Sequence, residues 1–214
     1  MSALHVDANP VDVDRFRVAP AWSLGLLAGG RSVRMGRDKA TAPFAGSTLL
    51  EHIARRLAPP GIPILISTRK DAPDPPVGLR VDDEFVAAGP LSGIAALLQA
   101  AETKYVLIVP CDMPHLPPDL GDRLLTFALG VDAVLLEVEG RVEPFPALVA
   151  AEAGGRVRTL LLAGERRADA WHETTAAAYV PFRAAFPTLE PARVLCNAND
   201  PEALSDAERM LGSP

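Results

Sequence analysis

The residues best suited to do chemistry in this chain cluster between Leu24 and Ala40, LGLLAGGRSVRMGRDKA. Trp22 to Leu27 reads as a short buried strand that empties into Ala28, Gly29 and Gly30 and then into Arg31, Arg34, Arg37 and Lys39. Glycine lets a backbone approach a ligand closely, and successive N–H groups in such a turn form an anion-binding concavity. Four cations against one acid, Asp38, stand out in a chain of formal net charge −6. A positive pocket in an acidic protein points to a small polyphosphate rather than a long nucleic acid. The loop lacks the GxxxxGK[ST] and G-x-G-x-x-G patterns, so it is neither a Walker A loop nor a dinucleotide fingerprint.

Asp112 is the second candidate. It follows the apolar run Tyr105 to Val109 within Pro110-Cys111-Asp112-Met113-Pro114. A carboxylate there is costly if buried without compensation. Magnesium suits it, because that ion takes carboxylate oxygens together with substrate phosphates. His52, His115 and His172 show no ligand spacing and read as surface residues; Cys111 and Cys196 make neither a disulfide framework nor a zinc site.

Elements must bring these groups together. The sequence predicts a helix over TLLEHIARRL, with Leu49, Leu50, Ile53 and Leu57 at helical spacing and Ser47 or Thr48 as its cap. Strands follow at Ile62–Ser67 and Leu79–Val81, then a helix from Ser92 to about Glu102 behind the turn Gly89-Pro90-Leu91. Tyr105–Val109, apolar throughout, reads as a central strand covered on both faces. Further on, helices are expected at Pro117–Leu129 and Val157–Leu162, and strands at Asp132–Glu137, Pro144–Ala150, Tyr179–Pro181 and Arg193–Leu195. A last helix, Pro201–Leu211, takes Asn199 or Asp200 as its cap.

This alternation predicts an α/β fold with a mainly parallel sheet between two helical layers. Ligands of such sheets bind beyond the carboxyl ends of the strands. The glycine loop, Ser67-Thr68-Arg69, Asp82-Asp83, Cys111-Asp112 and Asn197-Ala198-Asn199 are all expected there, at one site. Residues 1–20 read as an extension ending at Pro20, and 21–214 as a single domain. A chain of this length buries about 70% of its unfolded surface. Its acidic balance argues against general nucleic-acid binding, no apolar run reaches membrane-span length, and the acidic N-terminus is not a secretory signal. A reducing cytoplasm is the natural compartment.

The run from Leu27 to Ala40 closely resembles the signature LAGGxSxRMGxDKA of the molybdenum cofactor guanylyltransferases, the MobA family, and matches every fixed position. GPLSGI at Gly89 to Ile94 is similar to that family's GPLAG, PCDMP to its CDxP, LLLAGERR at Leu160 to Arg167 to a family helix ending in a basic pair, and NANDPEAL to its NxNTPEEL. The resemblance implies a Rossmann-like nucleotide-diphospho-sugar transferase fold, with GTP and molybdenum-bound molybdopterin as substrates and Mg2+ as cofactor. It also implies transient contact with molybdopterin-synthesising proteins and apo-molybdoenzymes. Leu27, Ala28, Gly29 and Lys39 then fall on nucleotide contacts, while the chemistry of the loop itself adds the backbone amides up to Gly30 and the cations Arg34 and Lys39 as holders of the triphosphate. Asp112 falls on the nucleotide and metal aspartate; Asn199, expected at the same edge of the sheet, is the residue whose chemistry suits it to help hold the ion. A family aspartate before GPLAG falls on Asp83, or on Asp82 by a one-residue shift. A family asparagine after the second strand has no counterpart, and Ser67 or Thr68 takes its place. Asn197, Arg166 and Arg167 fall on the pterin side. The alternatives are a cytidylyltransferase of the same pathway, another nucleotidyltransferase of the fold, and a non-enzymatic module that delivers the cofactor.

Overall fold

A computed structural model of the chain describes residues 19–29, 39–85 and 88–211, with Lys39 by its backbone alone. The expected Gly30, Arg31, Arg34, Arg37 and Asp38, the side chain of Lys39, and nearly all of the N-terminal extension lie outside the described residues. In chain order the elements are β1 (Trp22–Leu27), the small hairpin β2 (Pro43–Phe44) and β3 (Ser47–Thr48), α1 (Leu49–Leu57), β4 (Ile64–Thr68), β5 (Leu79–Asp82) and α2 (Pro90–Ala100). Then come β6 (Tyr105–Pro110), α3 (Leu120–Leu125), β7 (Ala133–Val138), β8 (Arg141–Ala150), α4 (Gly154–Leu162), β9 (Ala177–Pro181), α5 (Phe182–Ala185), α6 (Pro191–Val194) and α7 (Pro201–Leu211).

Seven strands form one sheet in the order β5-β4-β1-β6-β8-β7-β9. Every neighbouring pair is parallel except the two that involve β8. The mainly parallel, mixed sheet between two helical layers is therefore as expected. Alternate residues of β6 explain the layering: Tyr105, Leu107 and Val109 join the core beneath α1, α3, α5, α6 and α7. Val106 and Ile108 join the core beneath α2 and α4. In α1, Leu49, Leu50, Ile53 and Leu57 are buried at helical spacing, each worth about 1.5–3 kcal/mol of burial. The Thr48 side chain accepts from Glu51 N, and the Glu51 side chain accepts from Thr48 N, a reciprocal cap.

Three expectations are corrected. Arg193–Leu195 is not a strand; Pro191 opens the short helix α6, which turns Val194 into the core. The helix expected over Pro117–Leu129 is confined to α3, because Pro117 and Pro118 sit in a preceding turn and Phe127 and Ala128 bond back only three residues. His115 is not a surface residue but 7% exposed. His52 is half-buried as well, with Nε2 3.2 Å from the Pro114 carbonyl oxygen.

The arrangement of β1 matters most for function. Its outgoing chain reaches β4 on one side, while β6 lies on the other. The strand order reverses there, and such a switch point opens a crevice beyond the strand ends.

Candidate functional site

The crevice is built from three strand ends held in register. Leu27 of β1 pairs with Pro110 of β6 and Ser67 of β4. Beyond the strands the ladder continues: Ala28 N donates to Ser67 O at 2.9 Å and Cys111 N to Leu27 O at 3.2 Å. The Ala28-Gly29 and Cys111-Asp112 segments thus leave the sheet side by side.

Asp83 meets the Ala28-Gly29 segment from the β5 side. A Cβ on Gly29 would lie 2.8 Å from Asp83 Oδ2, so only glycine admits that carboxylate so near. Ser67 Oγ donates to Asp83 Oδ1 at 2.5 Å, and Asp83 N to Thr68 O at 3.0 Å. Burial pushes the Asp83 carboxyl up, the Ser67 hydroxyl opposes that shift, and Asp82 adds to it. Asp82 itself points elsewhere: it is exposed and paired with Arg80 at 2.7 Å. Of the two aspartates left open by the sequence, Asp83 is the one in the crevice. Ser67 and Thr68 are both buried, and the Ser67 hydroxyl is the one turned to the carboxylate.

Asp112 is half-buried, and its carbonyl oxygen accepts from Ala198 N at 2.8 Å. That bond brings Asn197-Ala198-Asn199 to the end of β6, although no strand precedes them. Asp200 caps α7 with Oδ1 accepting from Ala203 N at 2.8 Å, so the asparagine turn is fixed from both sides. Among the described residues no group of three His, Cys, Asp or Glu could hold a metal by itself. One carboxylate beside an exposed asparagine is instead a half-set, suited to a hard ion that arrives with phosphate oxygens.

Lys39 opens a single 3-10 turn, Lys39–Thr41, that leads through the hairpin to the Thr48 cap. Arg166 and Arg167 lie beyond the end of α4, not on it. A Cβ on Gly89 would meet the Arg166 carbonyl oxygen at 3.5 Å, which sets their loop beside the first turn of α2. The Arg166 guanidinium donates to the carbonyls of Leu161 and Glu165, while Arg167 pairs with Glu165 and Glu173 at 3.4 Å each. His172 contacts Trp171 and Tyr179 and takes no part in the crevice.

Sequence reasoning missed the Ser67–Asp83 bond and the seam between α1 and the loop after Asp112. In that seam His52 meets the Pro114 carbonyl and Arg56 Nε donates to Leu116 O at 2.7 Å. Nothing in the local pattern signals it, since the partners are 62 and 60 residues apart.

Comparison with known proteins adds an independent line. The family description "MobA-like NTP transferase domain" matches residues 25–178. A molybdenum cofactor guanylyltransferase of Burkholderia vietnamiensis is 35% identical over 184 residues, covering 78% of this chain and 88% of its own length. One from Rhizobium leguminosarum bv. trifolii is 35% identical over 206 residues, 87% of this chain and 91% of its own. Among solved structures, molybdopterin-guanine dinucleotide biosynthesis protein A of Archaeoglobus fulgidus superposes with a TM-score of 0.75 at 21% identity, over 90% of this chain and 100% of that one. That structural likeness shows a shared fold.

Proposed function

The chain belongs to the MobA-like NTP transferase family and is a nucleotidyltransferase; from that premise we propose that it transfers GMP from GTP to the phosphate of molybdenum-bound molybdopterin. The products are molybdopterin guanine dinucleotide and pyrophosphate. One observation carries the reading: the Ala28-Gly29 segment and Asp112 leave neighbouring strands at the switch point, joined by the bond from Cys111 N to Leu27 O. A triphosphate lying along that seam has backbone amides at one end of its chain and a carboxylate-based ion site at the other.

A pterin phosphate oxygen forms a bond to the α-phosphorus as the bond from that phosphorus to the β-bridging oxygen breaks. The bonding electrons leave with pyrophosphate. Such transfers ask the protein for position and charge balance rather than covalent chemistry. Leu27, Ala28, Gly29 and Gly30 supply the close backbone approach. Lys39 and Arg34 neutralise phosphate oxygens, Lys39 at the attacked α-phosphate. Thr68 and Asp83 border the nucleoside. Asp112 and Asn199 would hold Mg2+, which when bound offsets charge on the triphosphate. Asn197, Arg166 and Arg167 would take the pterin phosphate; for Arg167 that requires exchanging Glu165 and Glu173 for it.

The reading extends to a single catalytic domain over 21–214 with residues 1–20 as its extension, and to a cytoplasmic setting with transient contacts to molybdopterin-synthesising proteins and apo-molybdoenzymes. No helix among the described residues is long and apolar enough to cross a membrane. The test supplies the purified chain with metal-loaded molybdopterin, Mg2+ and either GTP or CTP, and resolves the dinucleotide formed. The guanine product is expected; exclusive use of CTP overturns the assignment.

A further inference from the structure

Asp83 uses its two oxygens differently. Oδ1 accepts the Ser67 hydroxyl at 2.5 Å, whereas Oδ2 faces the place where a Cβ of Gly29 would be, 2.8 Å away. The Asp83 backbone is tied to Thr68 O, so its Cα is fixed by the β4–β5 ladder. Ser67 is 1% exposed and enclosed in turn by the first turn of α2, where a Cβ on Gly93 would overlap Ser67 Oγ and come within 2.8 Å of Leu27 Cδ2. Two glycines on opposite sides therefore leave room for one hydrogen-bonded pair, and Ser67 decides how the carboxylate is turned.

A carboxylate beside a phosphate-binding segment repels phosphate oxygens. Asp83 lies on the β4–β5 side of that segment, away from Asp112 on the β6 side. It therefore borders the nucleoside, not the triphosphate. Among the bases, guanine alone presents two adjacent donors, N1–H and the 2-amino group, to a carboxylate. Adenine and cytosine place an acceptor next to their amino group.

We propose that Ser67 is a positioning residue for base selection: its hydroxyl holds Asp83 edge-on to the N1–H and 2-amino donors of guanine. This rests on the reading of the crevice as a GTP site.

The test compares kcat/KM for GTP, ITP and dGTP in the wild type, Ser67→Ala and Ser67→Thr, with thermal unfolding of each. ITP lacks only the 2-amino group, and dGTP only the 2′-hydroxyl. In Ser67→Ala, kcat/KM for GTP is expected to fall about tenfold or more, chiefly through KM, the range for a lost hydrogen bond to a charged group. The preference for GTP over ITP should shrink severalfold while the GTP-to-dGTP ratio holds, and Ser67→Thr should restore both. An unchanged GTP-to-ITP ratio, an equal loss for all three nucleotides, or a change confined to dGTP overturns the proposal. A wild type that makes the guanine product while its Ser67→Ala variant keeps full selectivity refutes the role of Ser67 alone. A wild type that uses only CTP refutes the functional reading together with it.

Discussion

Replacing Gly29 by alanine isolates the contact on which the crevice depends. Gly29 is not among the glycines with positive φ, so an L-residue meets no backbone strain there. The added Cβ instead lands 2.8 Å from Asp83 Oδ2, where ordinary contact begins near 3.4 Å. Asp83 has little room to give. Its backbone is held by Thr68 O and its Oδ1 by Ser67. Either the overlap is borne as overpacking, about 1–3 kcal/mol, or the carboxylate swings off Ser67 and forfeits a charge-assisted bond, about 1.5–3 kcal/mol. Both routes predict that Gly29→Ala lowers stability by about 1–3 kcal/mol, or roughly 2–4 °C of Tm per kcal/mol at this chain length. Both also predict that the loss vanishes when Asp83 is absent. Urea denaturation of the wild type, Gly29→Ala, Asp83→Ala and the double variant measures this directly. The coupling should exceed about 0.5 kcal/mol. If Gly29→Ala costs the same in the Asp83→Ala background, the Gly29–Asp83 contact is not what makes glycine necessary, and the geometric account of this corner fails.

Other perturbations separate the site from the scaffold. Asp112→Ala should lower turnover more than a hundredfold with little change in Tm, because the bond from Ala198 N uses the backbone carbonyl and survives; unchanged pyrophosphate release would defeat the assignment of Asp112 to the metal. Thr48→Ala removes the acceptor of Glu51 N and should cost about 1 kcal/mol in urea denaturation, with nucleotide KM unaltered. His115 is held neutral first by burial and then by Arg56, with Arg193 and His52 adding to the effect and a backbone bond to Ala207 opposing it. Its folded pKa lies below the ordinary value of 6.5, so the unfolded chain takes up the proton first. Stability is therefore full above about pH 6.5 and falls as the pH drops toward the folded value. His115→Gln should flatten that part of the stability–pH curve, and an unaltered acid limb would show that His115 does not titrate in this way.

Much of the scaffold was legible because local signals agreed with one another. β1 and α7 run over the predicted residues, the unbroken apolar run of β6 is covered on both faces as expected, and of the two caps offered for α1 the structure uses Thr48. Local signal misled where a proline and a β-branched residue compete, as at Pro191–Val194. There the helix-opening proline and the buried Val194 side chain won over the strand propensity of Arg193–Leu195. His115 was misread because burial of a lone histidine depends on segments distant in sequence, here α1 and α7, and leaves no mark in its own neighbourhood.

The site was legible to a different depth. A strand followed by glycines, or by Asp112, announces a crevice but not which side chains turn into it. Asp82 and Asp83 are the clearest instance, being adjacent, identical in type and separated by a single residue of register before Gly89. Side-chain alternation along β5 decides between them. Asp82, still within the strand, goes out to Arg80, while Asp83, one residue past it, turns back over Ser67 and Gly29. A one-residue slip of β5 against β4 would exchange the two and would put the arginine-paired carboxylate in the crevice. The register Thr68↔Asp82 therefore does as much to define this site as the glycine loop itself.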